Sequence, residues 1–201
     1  MRLGMVIDLK RCMACYGCQI SCKAEHGTPP GVFFARVLKR EEGKYPTARQ
    51  IFLPVLCNHC DDAPCVDVCP TEASHYAENG IVDIDADLCV GCRTCMMACP
   101  YTNRYFNGEP LNYFGEAGPT PYEQARTERH QENVVMKCNF CRSRLDEGLD
   151  PACVSNCPAK ARIFGDLDDP NSEVTQLIKD RSGFTLHPEA GTGPNVYYLA
   201  P

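Results

Sequence analysis

All sixteen cysteines of this 201-residue chain fall into four quartets: Cys12, Cys15, Cys18, Cys22; Cys57, Cys60, Cys65, Cys69; Cys89, Cys92, Cys95, Cys99; and Cys138, Cys141, Cys153, Cys157. None is left over. The first and third run C-x2-C-x2-C-x3-C, and Pro100 follows the third. Two residues between thiolates let a short turn point three sulfurs at three irons of one cubane cluster, while the fourth cysteine, aimed away, ligates a neighbouring cluster. The second quartet, C-x2-C-x4-C-x3-C-P, and the fourth, C-x2-C-x11-C-x3-C-P, keep both ends of that run and lengthen its middle, so their insertions are expected to bulge outward as loops. The chemistry this pattern supports is the binding of four [4Fe-4S] clusters through all sixteen thiolates, and with it the transfer of single electrons.

Other uses of cysteine fit less well. Structural zinc needs only C-x-x-C pairs closing a tetrahedron, whereas three of these quartets pack a third cysteine within a few residues of the pair. Close spacing, with no secretory segment, speaks against disulfides. No G-x-G-x-x-G, Walker or Ser/His/Asp set stands out, and every cysteine is already assigned, which leaves no obvious nucleophile and no catalytic residue in this chain. Sixteen Pro, fifteen Gly, no Trp and 8% aromatic residues provide little for an ordinary core. Clusters must supply the difference, and the metal-free chain is expected to be largely disordered. A net charge of −6 argues against nucleic acid as a partner. No run approaches the ~18 apolar residues of a membrane span. The start, Met1-Arg2-Leu3-Gly4, carries neither an apolar leader nor a twin-arginine pair, so no export address is expected in the chain itself.

The elements that must position the thiols are short. Met5 to Asp8 reads as a strand leading to Cys12, and the pair Ile7-Asp8 recurs as Ile84-Asp85 at the same distance before Cys89. Ile81 to Ile84, after Asn79-Gly80, reads as the second arm of a hairpin. Helix starts are placed at the prolines after the quartets, in Pro70-Thr71-Glu72-Ala73 and Pro158-Ala159-Lys160-Ala161, because proline fits a first helical turn. Residues 107 to 136, rich in Gly, Pro and charge, form a long loop expected to face a partner. In the tail, a helix from Ser172 to Lys179, capped by Ser172 with an apolar stripe of Val174, Leu177 and Ile178, precedes a strand at Val196 to Leu199. Arg93, Arg142, Arg144, Asp61 and Asp62 are the charges near the cysteines, read either as tuning the clusters or as pointing into water and screened: a nearby cation favours the reduced form and an anion opposes it. The group of Cys57, Cys60 and Cys65 is accordingly expected at a lower potential than that of Cys89, Cys92 and Cys95. His59 reads as a surface residue or a neighbour of the site rather than a ligand.

The duplication resembles bacterial two-cluster ferredoxins and implies an α+β fold of two such units, one inserted in the other. The outer unit is expected at residues 1–50 plus 130–201 with a docking tail, and the inserted unit at 51–129. On this nested scheme Cys12, Cys15, Cys18 and Cys157 hold cluster 1; Cys22, Cys138, Cys141 and Cys153 cluster 2; Cys57, Cys60, Cys65 and Cys99 cluster 3; and Cys69, Cys89, Cys92 and Cys95 cluster 4. A sequential pairing of the first quartet with the second is compatible with the same spacings.

The quartets' order, the segments Cys57-Asn58-His59-Cys60-Asp61-Asp62-Ala63-Pro64-Cys65 and Cys89-Val90-Gly91-Cys92-Arg93-Thr94-Cys95, and Gly165 to Pro170 together resemble the four-cluster electron-transfer subunit of the dimethyl sulfoxide reductase family of molybdopterin enzymes. The similarity is greatest to the small subunits of polysulfide and respiratory arsenate reductases, which also end in a segment like Pro188 to Pro194. It favours the nested pairing. Relatives that hold a three-iron cluster carry Trp in the third quartet; here Cys92 is kept, so four cubanes are implied. The resemblance further implies a molybdopterin-containing catalytic subunit near cluster 1, a quinone-reactive membrane anchor or other carrier near cluster 4, and a place on the outer face of the cytoplasmic membrane after export with the catalytic partner; a cytoplasmic complex is the alternative. An electron-transfer subunit of a hydrogenase or formate dehydrogenase, and a purely structural role for the clusters, are the competing functions.

Overall fold

A computed structural model describes residues 1–108, 112–127 and 130–201. It is a mixed α/β chain of four small sheets and short helices. In chain order the strands are β1 (Leu3–Asp8), β2 (Arg36–Glu42), β3 (Arg49–Val55), β4 (Ser74–Tyr76), β5 (Val82–Ile84), β6 (Tyr105–Asn107), β7 (Val134–Met136), β8 (Arg162–Asp166) and β9 (Val196–Leu199). The helices are α1 (Gly17–His26), α2 (Pro64–Asp67), α3 (Thr94–Ala98), α4 (Pro121–Thr127), α5 (Arg142–Asp146), α6 (Ala152–Ser155) and α7 (Glu173–Asp180).

Every residue of β1 is buried, which explains its unbroken apolar run. It lies between β8, antiparallel with Val6 opposite Ile163, and β9, parallel with Val6 opposite Tyr197. The first and last strands of the chain are thus hydrogen-bonded neighbours. At Gly4 a Cβ would fall 2.6 Å from the Asn195 carbonyl oxygen, so no side chain fits there. Helix α7 covers this sheet; Ser172 caps it by accepting from the Thr175 N–H at 3.4 Å, and Val174 is fully buried. The expected hairpin forms between β4 and β5, with Ser74 opposite Ile84.

Two expectations need correction. Pro70 and Pro158 open turns, not helices, and Pro100 opens a third such turn. In each turn the last cysteine's carbonyl accepts from the N–H three residues on, Cys69 from Glu72 (3.3 Å), Cys99 from Thr102 (3.2 Å) and Cys157 from Lys160 (3.0 Å). Each donor residue is left-handed, with φ of 56°, 51° and 46°. Proline's fixed φ suits the second position of a turn as well as a first helical turn, and the left-handed residue then directs the chain into a strand. The helices instead carry cysteines inside the quartets: Cys18 and Cys22 lie on α1, Cys65 on α2, Cys95 on α3 and Cys153 on α6.

The segment 107–136 is also more ordered than a plain loop. Its ends pair as β6 and β7, with Phe106 opposite Val135. Its described middle lies on the end of α1: Arg126 donates to the Glu25 carbonyl at 3.1 Å and the Tyr113 hydroxyl to that of Thr28 at 3.4 Å. Residues 109–111 and 128–129 of this segment lie outside the described residues. Strand β3 spans the expected boundary at residues 50 and 51, and its hairpin with β2 and the β6–β7 hairpin join the stretches read as outer and inserted units. The quartets are built into two of the cores: Cys18, Cys22, Cys57, Cys138 and Cys153 pack with Met5, Ile7, Leu56, Phe140 and Tyr198, and Cys60, Cys65 and Cys95 pack with Val82, Tyr101 and Val135.

Candidate metal centres

A shared backbone device shapes all four cysteine loops. The residue before the second cysteine is left-handed in each: Ala14 (φ 53°), His59 (44°), Gly91 (66°) and Phe140 (53°). This conformation costs non-glycine residues about 1–2 kcal/mol and curls successive N–H groups toward a common centre, the geometry of an anion-binding nest. Glycine is needed only at 91, where a Cβ would meet the Asn133 carbonyl oxygen at 2.1 Å.

The structure gathers eight of the cysteines around two cavities and brings the other eight within electrostatic reach of one another. Cys12, Cys15, Cys18 and Cys157 line one cavity, and Cys57, Cys60, Cys65 and Cys99 line another. Cys22 lies within electrostatic reach of Cys153 and Cys141, and Cys138 of Cys22 and Cys141. Cys95 is likewise acted on by Cys89 and Cys69, and Cys92 by Cys69. Each cavity mixes three cysteines of one quartet with the last cysteine of another. Cys57 also acts on Cys138, which makes the second and third groups neighbours.

These residues fit iron–sulfur clusters. Burial pushes the Cys60 and Cys141 thiols up to about 12 and raises Cys22, Cys138 and Cys153 as well. Buried thiols of this kind give up their protons when a cationic centre takes their place. Among the described residues no three or more His, Cys, Asp or Glu converge closely enough to hold a single metal ion. N–H donors already reach the sulfurs: Ser74 to Cys69 and Ala161 to Cys157, both at 3.3 Å, and Val135 to Cys89 at 3.5 Å. Such bonds to sulfur help set cluster potentials. Cys15 and Cys92 are exposed, whereas Cys22, Cys138, Cys141 and Cys153 are all buried.

The charges singled out from the sequence are mostly engaged at the surface. Arg142 pairs with Asp83 at 2.8 Å, Arg144 with Glu25 at 3.3 Å and Asp61 with Arg2 at 2.6 Å, while Arg93 lies over the Phe106 ring at 3.7 Å and Asp62 uses its N–H on the Thr192 carbonyl. His59 is fully buried; it stacks on Phe140 at 3.8 Å and its Nδ1 accepts from the Val82 N–H at 3.2 Å. Burial first, and then Lys137 and Arg104, hold its pKa well below the usual value, so the ring is neutral. Sequence reasoning missed the cations that matter most by position. Arg104, Lys137 and Arg162 are all buried. The available signal was an arginine five residues after the last cysteine of a quartet, at Cys99 and again at Cys157.

Comparison with known proteins agrees with this chemistry. Residues 48–113 and 116–167 match the 4Fe-4S dicluster domain. The chain is 43% identical to the arsenate respiratory reductase iron-sulfur subunit ArrB of Shewanella sp. (strain ANA-3), over 99% of this chain and 96% of that protein. It is 42% identical to a subunit of the tetrathionate reductase of Salmonella typhimurium (98% and 72% covered) and 39% identical to a subunit of the selenate reductase of Mesobacillus selenatarsenatis (97% and 70%). With four cysteine groups for four [4Fe-4S] clusters and these relatives matched along nearly all of this chain, it belongs to the iron–sulfur electron-transfer subunits of the dimethyl sulfoxide reductase family.

Proposed function

We propose that this chain relays electrons between a molybdopterin-containing catalytic subunit, a respiratory reductase of a sulfur compound, arsenate or a similar oxyanion, and a quinone-reactive membrane subunit or other carrier. It would do so as two nested ferredoxin-like units, residues 1–50 plus 130–201 and residues 51–129, joined by the β2–β3 and β6–β7 hairpins. The ligand sets are Cys12, Cys15, Cys18, Cys157; Cys22, Cys138, Cys141, Cys153; Cys57, Cys60, Cys65, Cys99; and Cys69, Cys89, Cys92, Cys95. The observation that carries this reading is the two matching cavities, each lined by three cysteines of one run and the last cysteine of a distant one. The reductase names of the relatives support the class of catalytic partner.

A bound cluster supplies a one-electron carrier. The chain's own residues do the rest. Left-handed links aim the thiols inward, apolar neighbours such as Val82 and Phe140 exclude water, and N–H donors steady the sulfurs. The exposed thiols of the first and last sets, Cys15 and Cys92, mark the two faces where partners would meet the relay. No helix among the described residues is long and apolar enough to cross a membrane, which suits a subunit attached through its partners. The outer face of the cytoplasmic membrane, reached together with the catalytic subunit, is the proposed location.

Anaerobic purification from the native host tests this. The expected result is a co-purifying molybdenum-containing chain and about sixteen irons per chain that bleach with dithionite. Co-purification with a hydrogenase catalytic subunit, or iron that dithionite does not reduce, would overturn it.

A further inference from the structure

Two buried arginines occupy equivalent places in the two halves of the cysteine framework. Each follows the last cysteine of a quartet by five residues, through the same Cys-Pro turn: Cys99 to Arg104 and Cys157 to Arg162. Arg104 is 4% exposed and Arg162 3%. A buried guanidinium is costly unless anions face it, yet among the described residues neither makes an ion pair with a carboxylate. Arg104 spends Nη2 on the Ser74 hydroxyl at 2.6 Å, and its Nε and Nη1 have no partner; Nη2 of Arg162 has none either.

Both guanidinium groups lie beside thiols of more than one cysteine set. Arg162 lines the cavity of Cys12, Cys15, Cys18 and Cys157 while its Nη1 points to Cys153 Sγ of the adjoining group at 3.8 Å. Arg104 lines the cavity of Cys57, Cys60, Cys65 and Cys99 and lies within electrostatic reach of Cys95 of the next group. Burial alone would lower both guanidinium pKa values, but the surrounding thiols raise them, Cys153 and Cys18 for Arg162 and Cys65 and Cys95 for Arg104. Lys137 differs, because its ammonium is taken up by the carbonyls of Val82 and Cys138.

We propose that Arg104 and Arg162 are charge-setting residues, each placed between the two clusters of one pair so that a single cation raises the reduction potential of both members. This rests on the electron-relay reading above. Reduction adds negative charge, and a fixed cation in a water-poor site favours the more negative state of every redox centre near it. One residue then keeps two neighbouring carriers matched.

The experiment is a redox titration, followed by electron paramagnetic resonance, of the complex carrying wild-type chain, Arg104→Gln, Arg104→Lys, Arg162→Gln or Arg162→Lys. Arg40→Gln, an exposed surface change on β2, is the control. Arg104→Gln is expected to shift the reduction equilibrium of both clusters of its pair at least tenfold toward oxidised, 59 mV for a one-electron centre, and to move the other pair less. Arg162→Gln should do the same for its own pair. The lysine variants should recover at least half of each shift, and Arg40→Gln should change nothing. A glutamine variant with full iron content and unchanged potentials, or with only one member moved, would overturn the proposal. If a glutamine variant loses iron, the lysine variant decides: full loading near wild-type potentials supports a need for the charge, and equal iron loss means a steric role and rejects it. Wild-type complex without reducible iron would instead fail the electron-relay reading itself.

Discussion

His59 and Phe140 occupy the same position in two loops, Cys-Asn-His-Cys and Cys-Asn-Phe-Cys, and stack on each other between the second and third cysteine groups. Sequence alone left His59 as a surface residue or a neighbour of the site; its full burial, and the stacking on its counterpart, depend on a contact between loops 81 residues apart in number. Phe140→Ala should cost about 3–5 kcal/mol, read as a lower denaturant midpoint of the loaded chain under anaerobic conditions. The ligand sets make a sharper prediction. Cys22→Ser and Cys153→Ser should each abolish the same paramagnetic signal, and the double variant should be no worse than either, because residues of one unit are non-additive; Cys22→Ser with Cys18→Ser should remove two signals. If Cys22 and Cys18 shared a signal, the crossed sets would be wrong. Asp8 belongs to this scale too. Burial would raise its pKa, but the hydrogen bond and charge of Arg181, with N–H donors from Lys10 and Arg11, hold it below the usual range. Its contribution to stability is therefore complete above the unfolded value of about 3.9 and is lost only as pH falls through the lower folded value. Asp8→Asn should cost about 2 kcal/mol, less than a wholly buried pair because Arg181 is partly exposed, with no slope between pH 6 and 8; a slope there would mean another group titrates.

At the scale of elements, β1, β9 and α7 were legible because each carries its own signal: an apolar run, a β-rich end, and a serine before a helical stripe. The prolines after the quartets were not, since the same residue opens helices and turns, and the left-handed Glu72, Thr102 and Lys160 that decide between them carry no glycine to announce it. Ser172→Ala should destabilise the chain by about 1 kcal/mol through loss of the α7 cap, seen as faster hydrogen exchange in that helix. Gly91→Ala sets a Cβ against the Asn133 carbonyl and strains a left-handed position at once. A loss of about 2 kcal/mol or more and weaker iron retention in the loop of Cys89 and Cys92 are expected. Iron retained at wild-type level after mild chelation would show that β7 can give way.

The four quartets and their chemistry were readable from spacing at the scale of the whole molecule, but how the halves are tied together was not. The tail does this partly through backbone polar groups that no side-chain pattern reports, the N–H groups of Asp61 and Asp62 donating to the carbonyls of Gly193 (2.8 Å) and Thr192 (3.0 Å), and partly through the Tyr198 hydroxyl, which donates to the Pro54 carbonyl at 2.9 Å. Removing residues 184–201 should therefore loosen the loop of Cys57 and Cys60 as well as β1, and iron analysis of the truncated chain should find loss from both pairs. The uneven cover of the thiols has a practical consequence. With Cys15 and Cys92 open to solvent and Cys22, Cys138, Cys141 and Cys153 sealed in, air should corrode an uncomplexed chain from its two extremities inward, so that brief oxygen exposure strips the outermost carriers first and leaves a severed conductor with an intact middle.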